Sequence, residues 1–315
     1  MNEKGQTPVF VINGFLEAGK TSFMKFTMQQ DYFITEGKTL LLVCEEGEEE
    51  YESELLEKFN TVAVYVDDVE KIDIGFLREL DKKYKPERVL IEWNGIWMQD
   101  KLKLPGEWFL NQMVSIFDTS TLDLYFKNMK AFVGPMLKDT ELIICNRADD
   151  IEEEILAKYH LNLRAMAPNA EIVFEGREGE IRGDFSIELP YNLDDEIINI
   201  ENKDFGIFYV DSMDRPEKYA GKVFKFTAQV LKPPQDPFGN VFVPVRKVMT
   251  CCEDDIQYLG HICNYKGAAN LKNRDWIKLT ARLEYKYHEA YRQEGPVFEA
   301  IELVHTGAVN EIVSF

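Results

Sequence analysis

The sequence predicts an α/β unit, a mostly parallel sheet with helices on both faces, followed by a small all-β barrel. Three observations carry this. Near-continuous apolar runs rich in β-branched residues alternate with helical patterns over residues 8–176. A glycine-rich turn joins the first run to the first helical pattern. Beyond Asp214 the helical period disappears and strictly alternating segments, bounded by Pro, Gly, Asn and Asp, take over.

The runs PVFVIN (8–13), TLLLVC (39–44), TVAVYV (61–66), RVLIEW (88–93), MVSIFD (113–118) and ELIICN (141–146) read as strands, and EIVFEG (171–176) closes the unit. Helices are expected at 20–30, 48–58, 74–84, 121–130 and 151–162. Strands apolar at nearly every position are covered on both faces, which favours parallel pairing through helical crossovers. The segment around Pro190 and Asn192 reads as a break. The expected division is therefore 1–190 for the α/β domain, 191–212 for a linker and 213–315 for the barrel. In the last part KVFKFTAQVL (222–231), NVFVPVRKVMT (240–250), IQYLGHIC (256–263), DWIKLTARLEYKY (275–287) and VFEAIELVHT (297–306) alternate polar and apolar residues. By strand count, an OB-like Greek-key barrel is a candidate.

A formal net charge of −20 works against nucleic acid and anionic lipid as partners, because no local basic patch overrides the field. The N-terminus lacks the pattern of a secretory leader and no apolar run spans a bilayer, so a cytoplasmic protein without membrane insertion is expected. Five cysteines without framework spacing suit a reducing compartment.

Gly14-Phe15-Leu16-Glu17-Ala18-Gly19-Lys20-Thr21 satisfies G-x-x-x-x-G-K-[ST], between a buried strand and the helix pattern beginning TSFMKF. That placement is what a P-loop NTPase requires. The glycines let backbone N–H groups wrap phosphates, and the helix N-terminus adds its dipole. Gly14, Glu17, Ala18, Gly19, Lys20, Thr21 and Ser22 are the expected phosphate contacts. Lys20 brings charge to the β- and γ-phosphates and the Thr21 hydroxyl reaches Mg2+. Asn146-Arg147-Ala148-Asp149 ends a strand and fits N-[KR]-x-D. The Asp149 carboxylate can accept both guanine N1–H and N2–H, and Arg147 can lie over the base; ATP binding or a plain Asn-Asp turn are the alternatives. Glu92, ending RVLIE ahead of Gly95, either organises Mg2+ or merely closes its strand. The acidic run from Glu45 to Glu50 is either a solvated helix start or a switch responding to Mg2+ and the γ-phosphate. Thr21, Glu45 and Glu92 are thus the candidate Mg2+ residues; Lys20, Thr21 and Glu92 are the candidate catalytic ones.

Together these motifs resemble the CobW-type metallochaperone GTPases, relatives of the urease- and hydrogenase-maturation GTPases. NGFLEAGKTS, VCEEGEEE, LIEWNG, SIFDTST and CNRAD stand in the family's order. The resemblance, over about residues 7–190, implies a GTPase binding GTP or GDP with Mg2+ and handling a metal. It also implies a metal-receiving protein partner and a nucleotide-dependent homodimer. Three features depart from the pattern. Residues 45–144 contain no cysteine where such proteins carry C-x-C-C, Cys44 replaces an asparagine, and Trp93 and Asn94 displace a small hydroxyl residue. In the C-terminal part, VPVRKVMTCCEDDIQYLG resembles the YcgQ-like permease-associated proteins, through Arg246 and Cys251-Cys252-x-x-Asp255.

Cys251, Cys252 and Cys263, with His261, concentrate thiols and an imidazole in a short span, a set that suits Zn2+. Cysteines packing a small barrel explain the same span equally well. The sequence thus supports slow GTP hydrolysis coupled to metal or metallocofactor delivery. The alternative is a nucleotide-dependent regulatory switch that docks a protein partner without metal transfer.

Overall fold

The chain divides between Asp184 and Phe185 into two units, each closed around its own core. The computed structural model describes residues 5–185, 187–232, 240–249, 256–289, 291–309 and 312–314.

In the first unit β1 (Thr7–Gly14) leads into α1 (Lys20–Met28), and β2 (Thr39–Val43) into α2 (Ser53–Lys58). Next come β3 (Thr61–Tyr65), α3 (Ile74–Tyr84), β4 (Arg88–Glu92) and β5 (Trp108–Asp118). After them follow α4 (Thr119–Asn128), α5 (Lys130–Leu137), β6 (Leu142–Asn146), α6 (Glu153–Met166), β7 (Glu171–Gly176) and the short β8 (Gly179–Glu180). The sheet order is β3-β2-β4-β1-β5-β6-β7-β8, parallel throughout except for the β7–β8 hairpin. Every residue of β2 and β4 is buried between two helical layers, as their apolar centres Leu40–Val43 and Val89–Ile91 require; Thr39, Arg88 and Glu92 are buried with them at the strand ends. Period two then sorts the side chains. Val9, Val11, Leu40, Leu42, Val89 and Ile91 pack on one face with Leu77 and Leu80 of α3. Ile12, Leu41, Val43, Leu90 and Val114 pack on the other with Met24 and Met28 of α1.

Of the five expected helices only 74–84 keeps its bounds; 20–30 ends at Met28 and 151–162 runs over Glu153–Met166, and the other two shift for reasons the structure shows. Helix 48–58 starts only at Ser53, because the preceding glutamates engage the phosphate loop and α1, as described below. The helix expected at 121–130 begins at Thr119, where the Asp118 carboxylate caps it through the Ser120 N–H at 2.9 Å. Helix α5 was not anticipated; Pro135 lies inside it, and burial of Val133, Met136 and Leu137 holds it.

The second unit contains β9 (Ile198–Asn199), α7 (Phe205–Asp214), α8 (Pro216–Tyr219), β10 (Val223–Leu231), β11 (Val241–Met249), β12 (Ile256–Leu259) and β13 (Ile262–Asn264). It ends with β14 (Trp276–His288), β15 (Gln293–His305) and β16 (Val313–Ser314). Strands β10, β11, β13, β15 and β14 pair in that order and β14 returns to β10, closing a five-stranded barrel. The β13–β15 pair is parallel and the others in the ring antiparallel, an OB-like Greek-key arrangement. The strand expected over 256–263 is interrupted at Gly260, whose backbone lies against Pro244 and leaves no room for a side chain. The 191–212 stretch, expected as a linker, lies within this unit. Ile198, Ile200, Phe205 and Phe208 enter the barrel core, and the Phe208 ring sits 4.9 Å from that of Phe224.

Candidate functional site

The carboxyl ends of β1, β4, β5 and β6 open on one rim of the parallel sheet, where such sheets place ligands. Register does the positioning: Ile12 lies beside Glu92, Gly14 beside Ile116 and Asp118 beside Asn146.

The phosphate loop leaves β1 at Gly14 and enters α1 through Gly19, whose φ of 96° is a left-handed conformation that glycine adopts without strain. A Cβ on Gly19 would also stand 2.6 Å from Asn146 Nδ2. Lys20 is buried. Its ammonium donates to the Gly14 and Phe15 carbonyls at 2.8 and 2.9 Å and pairs with Glu45 at 2.5 Å. Gly95 packs on the loop, its N–H donating to the Gly14 carbonyl at 3.1 Å.

Thr21 Oγ1 donates to Glu92 Oε1 at 2.8 Å, and the Tyr51 hydroxyl donates to Glu92 Oε2. Burial pushes the Glu92 carboxyl above the ordinary range, against those two hydrogen bonds and the nearby Lys20 charge. Burial and the charges of Glu92 and Glu45 push the Cys44 thiol up to about 12, so it stays protonated near neutrality.

The glutamate run lies across the loop. Besides Glu45 on Lys20, Glu49 accepts from the Ser22 hydroxyl and pairs with Lys25 at 3.0 Å. The Glu48 N–H donates to Glu17 Oε1 at 2.8 Å. Ser22 and Glu17 thus meet the acidic segment directly. The space left over the loop, lined by Lys20, Thr21, Glu45, Gly47, Glu49 and Glu92 among others, is about 50 Å³.

A second, larger cavity of about 770 Å³ adjoins Gly19 and Ser22 and is walled by Ile116, Ile144, Asn146, Arg147, Asp149 and Gly176. Asn146 Nδ2 donates to the Ala18 carbonyl at 2.6 Å, tying this wall to the phosphate loop, while Asn146 Oδ1 is buried without a partner. Arg147 donates to the Glu17 carbonyl at 3.0 Å and to Asp118. Burial of Asp118 opposes ionisation, but hydrogen bonds from Ser120 and Arg147 prevail and hold its carboxyl below the usual range. Asp149 Oδ1 accepts the Arg177 N–H at 2.8 Å, which orients the carboxylate.

The structure therefore brings Gly14, Glu17, Ala18, Gly19, Lys20, Thr21, Ser22, Glu45, Glu92, Asn146, Arg147 and Asp149 to one rim. Tyr51 and Asp118 were missed as site residues. Tyr51 directly follows the acid run and Asp118 ends a strand in the SIFDTST motif, which were the signals available.

The sequence profile described as CobW/HypB/UreG, nucleotide-binding domain, matches residues 8–174. The chain belongs to this family. Residues 184–313 of this CobW/HypB/UreG-type chain match the DUF1980 C-terminal domain, in line with the resemblance seen around Arg246. Among solved structures, the hydrogenase maturation factor HypB of Archaeoglobus fulgidus is similar at 19% identity and TM-score 0.39, covering 55% of this chain and 83% of that one. HypB from Helicobacter pylori, in complex with nickel, is similar at 13% identity and TM-score 0.38, covering 55% and 80%. No curated protein matches the chain.

The C-terminal candidates fare differently. Cys251, Cys252 and Asp255 lie outside the described residues. His261 is buried, its Nε2 2.9 Å from the Ser212 hydroxyl and its ring stacked 4.7 Å from Tyr209. Burial lowers its pKa to about 3. Cys263 is a buried thiol within the barrel core. Among the described residues no three His, Cys, Asp or Glu side chains converge as a metal cluster, and no helix is long and apolar enough to cross a membrane.

Proposed function

We propose that this CobW/HypB/UreG-type chain binds and slowly hydrolyses GTP, coupled to delivery of a metal or metallocofactor to a protein partner. The supporting observation is that the Asn146–Asp149 wall and the phosphate-loop residues Gly19 and Ser22 line one cavity, with Asn146 bonded to the loop itself. A base at Asp149 and a phosphate chain at Lys20 thus belong to a single ligand. Gly14, Glu17, Ala18, Gly19, Lys20, Thr21 and Ser22 hold the phosphates; Asn146, Arg147 and Asp149 read guanine.

The donor set suits Mg2+: the Thr21 hydroxyl and the Glu92 carboxylate are adjacent oxygen ligands of the kind a hard cation takes, with Glu45 close by. Thr21 and Glu92 would hold the ion, joined by Glu45 once it leaves Lys20, and the ion would neutralise charge on the phosphates. Lys20 supplies a fixed cation to the transferring group, and Tyr51 keeps Glu92 oriented. A reducing, cytoplasmic setting accords with the described cysteines Cys44, Cys145 and Cys263 being unpaired.

Competition on a fluorescent GDP analogue tests the base assignment. GTP should displace it and ATP should not, and Asp149→Asn should weaken GDP binding about tenfold or more, because an amide cannot accept both guanine donors. Equal displacement by ATP would sink the guanine assignment. Elemental analysis of apo, GDP-bound and GTP-bound protein then separates metal delivery from the second reading, a switch that docks a partner without metal. The absence of cysteine from residues 45–144 favours that second reading. Metal content independent of nucleotide would leave it standing alone.

A further inference from the structure

We infer that residues 45–51 form a built-in strap that occupies the phosphate site and must be displaced before nucleotide can bind. The inference rests on the reading of Gly14–Ser22 as a nucleotide loop.

The strap is held at successive points along the loop and the first turns of α1. Glu45 places a carboxylate on the Lys20 ammonium at 2.5 Å, with side chains only 3% and 9% exposed for lysine and glutamate. The Glu48 N–H bonds Glu17 at 2.8 Å, and Glu49 takes the Ser22 hydroxyl and Lys25. The Glu50 carbonyl accepts from Lys25 at 3.2 Å, and Tyr51 anchors the far end on Glu92. A lysine at this place in a phosphate loop serves the β- and γ-phosphates. Here a carboxylate of the same chain supplies the anion instead.

The two cavities differ accordingly. About 770 Å³ is open beside Asn146 and Asp149, whereas about 50 Å³ remains directly over Lys20, space for a few waters and not for a phosphate chain; a separate cavity of about 260 Å³, lined by Thr21, Glu45, Glu49, Tyr51 and Tyr65, runs along the strap itself. The base side is ready and the phosphate side is filled. Nucleotide therefore binds only the fraction of molecules whose strap has lifted, and apparent affinity falls by that fraction. Lifting the strap also frees Glu45 and relaxes Tyr51 beside Glu92, so entry of phosphate is coupled to rearrangement of the acidic segment.

Stopped-flow association of a fluorescent GDP analogue with the full chain tests this. Glu45→Gln removes the anion from Lys20; Glu46→Gln removes the same charge from the exposed neighbouring position. The expected result is association at least about tenfold faster for Glu45→Gln and within about twofold of wild type for Glu46→Gln. Equal rates for the two variants would reduce the segment to a general repulsion of anions and overturn the strap. Should Glu45→Gln fail to fold, hydrogen exchange of the wild-type chain decides. Peptides covering 45–51 exchange faster with GDP bound if the strap is displaced, and unchanged exchange overturns it. Absence of any GDP binding by wild type is a separate outcome, which removes the nucleotide reading and the strap with it.

Discussion

Single residues carry much of the chemistry through the company they keep. His261 is the clearest case in the barrel: enclosed by Tyr209, Phe208 and Phe298 and bonded to Ser212, it stays neutral, its pKa pushed down to about 3 by burial. The unfolded chain protonates this imidazole near pH 6.5, so below that value the unfolded state binds the extra proton and stability falls as pH drops towards 3. Between pH 7.5 and 5.5 the loss from this group is on the order of 1 kcal/mol. His261→Gln should remove that increment of acid sensitivity while costing some stability at pH 7.5. Calorimetric scans of both proteins at the two pH values measure it; identical pH dependence would show that the ring is not kept neutral. Cys44 illustrates the same effect on a thiol, since its raised pKa makes it a packing residue in this state.

At the scale of elements, the meeting of β1 and β4 builds the site. Register places Glu92 level with Ile12, and the turn after β4 folds Gly95 back onto Gly14. A Cβ on Gly95 would lie 2.6 Å from the backbone C and O of Gly14, atoms that cannot swing aside as a flexible side chain would. Gly95→Ala should therefore displace the phosphate loop, destabilise the protein by about 1–3 kcal/mol and weaken nucleotide binding. Gly106→Ala meets nothing within 4 Å and should fall within about 0.5 kcal/mol of wild type. Comparing melting temperatures and GDP affinities of the pair tests the close approach; a neutral Gly95→Ala would show that the loop tolerates displacement.

Across the whole molecule, each unit buries its own apolar residues, and all proposed nucleotide contacts fall in the first. A fragment ending at Asp184 should fold and bind GDP within about twofold of the full chain, a difference of about 0.4 kcal/mol. Titration calorimetry on the fragment checks this, and a fragment that folds without binding would place a needed contact in the barrel unit. The C-terminal unit has to be cut on the same boundary: starting it at residue 213 would remove Phe205 and Phe208 from the barrel core and leave a cavity that metal-binding tests would confuse with loss of ligands.

Much of this was legible in the sequence because it is local. The parallel sheet follows from near-continuous apolar runs, the barrel from alternation, and the turn from β1 into α1 from a strand–glycine–lysine–helix order. Asn146 and Asp149 could be picked out because N-[KR]-x-D stands at a strand end, and the structure sets that segment beside the Gly14–Ser22 loop. Other features depended on residues far apart in the chain. Nothing near Glu45 says that its carboxylate will lie on Lys20, and nothing near Tyr51 says that it will hold Glu92. The segment 191–212, broken by polar residues, gave no sign that Phe205 and Phe208 would enter a barrel formed by later strands. Composition and period act over a few residues, so they determined which elements form. Which side chains meet across the sheet rim, and whether an acidic run lies free or fills a cationic loop, was decided by long-range packing and charge, which only the tertiary structure brings together.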